Sequence, residues 1–145
     1  MRFLMMIKAS KQSEAGAMPS EAAMARMMKY NEELSKAGVL LDLAGLHPSS
    51  KGARIVFHGK DTTVVDGPFT ETKELIAGYW LIQVKSRQEA IEWARRIPFD
   101  GPTGAMEGED GEVELRQLAE MSDFPEANAE TLATAAKIGA KLEHP

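Results

Sequence analysis

Residues 79–98 read YWLIQVKSRQEAIEWARRIP, and two periodicities meet inside them. Positions 79–85 form an apolar run of strand length. Ser86-Arg87-Gln88-Glu89 then has the spacing of a capping box, a serine that takes the amide three residues on and a glutamate that reaches back. Behind it Ala90, Ile91, Trp93, Ala94 and Ile97 recur at helical spacing, until Pro98 stops the run by removing a donor. The stretch predicts a strand followed directly by an amphipathic helix.

Upstream, residues 1–8 are a second apolar strand. A polar stretch with Gly16 and Pro19 leads to a helix capped by Ser20, with a stripe of Met24, Met27, Asn31 and Leu34 and with Tyr30 and Ala37 beside it. Gly38 suits its C′ position, and residues 39–46 read as the next strand. Arg54-Ile55-Val56-Phe57-His58 alternates, Gly59-Lys60-Asp61 can turn, and residues 62–65 are β-branched throughout. Asp66-Gly67-Pro68 breaks that ladder, and a short helix is expected from Thr70.

Downstream, a loop over 99–111 is rich in glycine and acid, residues 113–119 form a last strand, and Asp123 is expected to cap a final helix. That helix carries a thin stripe of Leu132, Ala135, Ala136, Gly139 and Leu142, so it reads as a tail docked on a second subunit. The boundaries are one domain over 1–120 and a helical extension over 121–145. Two long helices on one face of an antiparallel sheet give an α+β, ferredoxin-like arrangement. Its other face carries apolar side chains as well and is expected to meet a copy of itself, giving a homodimer.

Composition narrows the function classes. The chain has 145 residues, 43% hydrophobic and 27% charged, near the globular average. It has no cysteine, which excludes disulfides and thiolate chemistry. A net charge of −5 with no basic run argues against nucleic acid as partner. The apolar run 3–7 is too short for a leader or a membrane span, so a soluble, cytoplasmic protein with no membrane partner is expected.

Few residues invite chemistry. His47, His58 and His144 share no helical metal spacing, and no metal or cofactor is expected. The spacing of Gly101, Gly104, Gly108 and Gly111 fits no phosphate loop, and no serine elbow occurs. Met5, Met6, Met24, Met27 and Met28 read as core. There remains Asp66-Gly67-Pro68-Phe69-Thr70-Glu71-Thr72-Lys73-Glu74, where a strand delivers a carboxylate to a turn and a helix start follows. On the functional reading Asp66 is a general base, Lys73 its electrostatic partner, and Phe69 a pocket wall with His47 or His58 at the mouth. On the structural reading Asp66 takes a local backbone bond and shapes the turn, as the repeated Asp100-Gly101-Pro102 suggests.

The string DGPFTETKELIAGYW resembles the signature of DGPF-domain proteins in the YCII-related superfamily. RFLMMIKA, AIEWARRIP and GEVELRQL, with Glu114 and Arg116, extend the likeness over most of residues 1–119. The resemblance implies a ferredoxin-like fold that pairs through its sheets into a dimeric α/β barrel. Short members of the superfamily carry a first-helix histidine paired with an aspartate. The histidine position falls near Met27 here, so that dyad does not carry over, although Asp42 lies close to the aspartate position. Two readings of function stand. One is a protein that binds or transforms a small molecule, with Asp66 and Lys73 as catalytic candidates and Phe69, His47, His58, Glu74 and Arg116 as ligand contacts. The other is a non-catalytic module associated with an extracytoplasmic-function sigma factor, as some DGPF proteins resemble.

Overall fold

Phe3, Met5 and Ile7 alternate with Leu4 and Met6 along the first strand, β1 (Arg2–Lys8), and that alternation sets the two faces of the main sheet. The computed structural model describes residues 1–99 and 110–143. Four strands pair in the order β2 (Leu40–Gly45), β5 (Ile76–Gln83), β1, β6 (Val113–Gln117), with every pairing antiparallel. Register places Met5 opposite Trp80 and Leu115, and Leu4 opposite Leu81 and Arg116. With one helix before β2 and another before β6, this order is consistent with a ferredoxin-like arrangement.

The odd-numbered face of β1 holds the core. Phe3, Met5, Trp80, Ile82 and Val84 meet Tyr30 and Leu34 from α2 (Glu21–Lys36) and Ala90 from α3 (Arg87–Arg95). Tyr30 and Trp80 meet edge to face, with centroids 5.4 Å apart at 86°. Both polar tips are satisfied: the Tyr30 hydroxyl donates to the Trp93 carbonyl at 2.8 Å, and the Trp80 indole donates to Asn31 Oδ1 at 2.7 Å. Burial pushes the Tyr30 phenol up in pKa, so it stays a donor. Arg96 lies 4.2 Å over the Trp93 ring and pairs with Glu33 at 3.0 Å, tying the helices at their outer edge. On the opposite face Leu4, Met6, Tyr79 and Leu81 are half-buried and none is fully covered.

Ser20 accepts the Ala23 amide at 3.1 Å and starts α2. Ser86 likewise accepts the Glu89 amide, but Glu89 reaches back to the Lys85 amide rather than to Ser86 itself. The buried stripe of α2 is Ala23, Tyr30 and Leu34 with Met27 packed beside it, one position round from the expected stripe. Met24 and Met28 are accordingly 45% and 65% exposed, and Ala37 is exposed, so among these methionines Met5 is the one sealed in the core.

Three segments depart further from expectation. A short helix, α1 (Lys11–Glu14), forms in the polar stretch because Ser10 and Ser13 cap one another's amides. No helix starts at Thr70; Thr72–Glu74 makes one 3-10 turn that runs straight into β5. Asp123 does not cap the final helix. It accepts the Glu120 amide in a separate 3-10 turn, Met121–Asp123, while Asn128 accepts the Thr131 amide and starts α4 (Ala129–Glu143).

The middle strands stand apart from the main sheet. β3 (Ala53–His58) and β4 (Asp61–Asp66) form a two-stranded hairpin turned at Gly59, with every residue exposed. The tripeptide Asp100-Gly101-Pro102, the glycines at 104 and 108, and His144 lie outside the described residues.

Candidate functional site

A cavity of about 800 Å³ opens where β1, β2 and β5 meet the segments that connect them. Ile7, Ala77 and Gly45–Leu46 supply the sheet side of its lining. Ser10 and Ser13 of the α1 region, with Ala17, Met18 and Pro19, form one wall; Phe99, Asp110 and Gly111 contribute another. The third wall is the turn His47, Pro48, Ser50 and Lys51. The volume lies within the range of small-molecule sites, and much of the lining is apolar.

The Ser49–Lys51 turn is held from two sides. The Glu14 carboxylate accepts from the Ser49 amide at 3.1 Å and also takes the Ser49 hydroxyl in a short hydrogen bond. The same Ser49 Oγ accepts the Phe69 amide at 3.0 Å, and the Gly67 amide donates to the Gly52 carbonyl at 3.0 Å. A Cβ on Gly67 would overlap the Ser49 carbonyl, so that position demands glycine for its close approach. The Gly67–Pro68 peptide is cis. The Gly67-Pro68-Phe69 part of the distinctive motif thus braces the cavity wall from behind.

A second region, a string of charges, lies beside it. Arg54 lies 3.9 Å over the Phe69 ring. Glu71 and Glu74 share a carboxyl–carboxyl hydrogen bond, which together with the Glu71 charge raises the Glu74 pKa, while Arg54 and Lys8 pull it down. Lys8 lies 3.8 Å from Glu114, which Arg116 also approaches at 3.5 Å. A shallower hollow of about 560 Å³ between Ala9–Lys11 and Thr70–Glu74 borders these groups.

The residues singled out by sequence therefore fall in several places. His47 lines the large cavity. Lys73 and Glu74 line the smaller hollow, Phe69 shares Arg54 with Glu74, and Arg116 joins through Glu114 and Lys8. His58 pairs with Asp61 at the outer end of the hairpin. Asp66 ends β4 opposite Ala53; its carboxylate is exposed and has no hydrogen bond among the described residues. No group of three candidate metal ligands gathers among the described residues. Met27, at the position expected for a dyad histidine, packs on the core, and Asp42 accepts the Tyr79 hydroxyl at 3.0 Å, which holds the Tyr79 pKa up.

Sequence reasoning passed over Glu14, Ser49, Ser50 and Lys51. The signals were present: Ser10-Lys11-Gln12-Ser13 as a reciprocal cap, and Pro48-Ser49-Ser50-Lys51-Gly52 as a turn.

An antiparallel α+β sheet with helices over one face, and a cavity walled by a braced turn, defines the class. The chain belongs to the YCII-related domain family, whose profile matches residues 1–122. It is similar to an uncharacterised protein of Rhizobium meliloti (strain 1021), 36% identical over 99 residues, spanning 68% of this chain and 75% of that one. No helix among the described residues is long and apolar enough to cross a membrane.

Proposed function

We propose that this protein binds a small organic molecule in the cavity between β1, β2, β5 and the Ser49–Lys51 turn. The observation that carries this reading is the bracing of that turn by Glu14, Phe69 and Gly67. Two segments remote from the turn in sequence, one at Glu14 and one at Gly67–Phe69, are spent on fixing one wall, and a fixed wall lowers the ordering cost of binding. Fluorescence of 1-aminoanthracene, a small neutral apolar dye, tests the reading. It should brighten saturably with the wild-type protein, and Ala17→Phe, which places a ring in the cavity, should abolish the response. A dye signal unaltered in that variant would refute the reading.

The same proposal has the Leu4, Met6, Tyr79 and Leu81 face covered by a second copy, as a dimeric barrel. Its support is that these four side chains form one apolar patch on a sheet face that lacks a fully buried residue. Sedimentation giving a stable monomer at micromolar concentration would refute this part.

A further inference from the structure

We propose that the ligand class of this cavity is an amphipathic organic anion, with its acid group at His47, Ser50 and Lys51 and its apolar body toward Leu46, Ala77 and Phe99. The inference rests on the small-molecule reading above and adds the chemistry of the ligand. Three donor side chains fall within five residues of one wall, and none makes a hydrogen bond or ion pair to any described residue. The neighbouring polar groups are already engaged. Ser10 and Ser13 cap each other, and Lys8 lies by Glu114 at 3.8 Å. Ser49 is turned to Glu14 and Phe69, which fixes the turn while leaving the adjoining Ser50 hydroxyl and Lys51 ammonium unengaged.

Charge fixes the orientation. Asp110 is the one acidic side chain among the described lining residues; it precedes β6 at one edge of the sheet, where Gly111 lies against the Phe99 ring, whereas His47 and Lys51 follow β2 at the opposite edge. A carboxylate is repelled at the Asp110 end and attracted at the Lys51 end. A neutral alcohol can accept from Lys51 but forms no ion pair with it, and an alkylammonium meets Lys51 as a like charge. Because His47, Ser50 and Lys51 are all exposed, the gain is that of a solvated contact and not of a buried ion pair.

Displacement of 1-aminoanthracene by octanoate, octanol and octylamine at neutral pH separates the cases. Octanoate is expected to displace the dye at a concentration on the order of tenfold lower than octanol or octylamine. In Lys51→Gln the ratio of octanol to octanoate concentrations should fall to about a third of its wild-type value or less. If octanol or octylamine competes as well as octanoate, or Lys51→Gln leaves the ratio unchanged, the anion assignment is wrong while the cavity reading stands. If the dye does not bind at all, both fall together.

Discussion

The α-carbon of Gly67 sits so close to the Ser49 carbonyl that any side chain at residue 67 would occupy the oxygen's place. The contact joins the end of the β3–β4 hairpin to the turn that walls the cavity. Gly67→Ala is therefore expected to destabilise the protein by about 3 kcal/mol, since the blocking group is backbone and cannot rotate away. Gly45→Ala is the control, because a Cβ there meets open space. It should change stability by no more than about 0.5 kcal/mol in urea denaturation.

Ser49→Ala removes the hydroxyl shared by Glu14 and Phe69. A hydrogen bond to a charged group contributes about 2 kcal/mol, and a loss of that order is expected on denaturation. The 1-aminoanthracene affinity should weaken with it, because the turn loses its tie to Phe69 and keeps only the amide bond to Glu14. Unchanged stability and unchanged dye binding would show that the backbone alone holds this wall.

Asp66→Asn should leave stability within about 0.5 kcal/mol of the wild type, since the exposed carboxylate has no hydrogen bond among the described residues to lose. A marked drop in melting temperature would return Asp66 to the role of a turn-forming residue. A loss of ligand response at unchanged melting temperature would make its carboxylate functional.

Two carboxylates carry pH dependences of opposite sign. Glu74 is held above the ordinary carboxylate range, first by its hydrogen bond with Glu71 and then by the Glu71 charge. Its folded form prefers the proton, so this pair gains stability as pH falls from the raised value toward the ordinary one. Glu71→Gln should raise the melting temperature at neutral pH, with the advantage vanishing in acid. Glu120 is held below the ordinary range, first by its hydrogen bond with Arg2. Its contribution is present above the ordinary value and is lost as pH falls through the depressed one. Glu120→Gln should flatten that acid limb of the melting curve.

A chain ending at Ser122 is expected to keep the sheet and α2–α3 signals in circular dichroism, because α4 contains no fully buried residue. A wholly unfolded product would make α4 part of the folding unit.

What could be read from sequence was local. Residues 79–98 carried their own strand, cap and stop: α3 starts behind Ser86 as the cap requires, while β5, Ile76–Gln83, begins and ends earlier than the apolar run 79–85. The α2 stripe slipped by one position because Met24 and Ala23 are both apolar, and only the tertiary contact of Tyr30 with Trp80 decides which faces inward. Asp66 was read as leaving the ladder, yet register pairs it with Ala53. The cavity was illegible for a plainer reason: its walls come from the regions around residues 10–19, 45–51, 77, 99 and 110–111, and no periodicity spans such separations. The DGPF motif stood out as a string, but its contact with Ser49 is purely spatial.

The aromatic junction at Tyr30 has an optical consequence. The chain has two tryptophans, and neither lines the cavity: Trp80 lies in the core against Tyr30, and Trp93 beneath Arg96. Their ultraviolet emission is a gauge of whether α2, α3 and the sheet remain docked, and it should stay nearly silent when the cavity fills. Denaturant titrations followed by that emission, run with and without a ligand, would therefore read affinity as a displaced midpoint rather than as a direct quench.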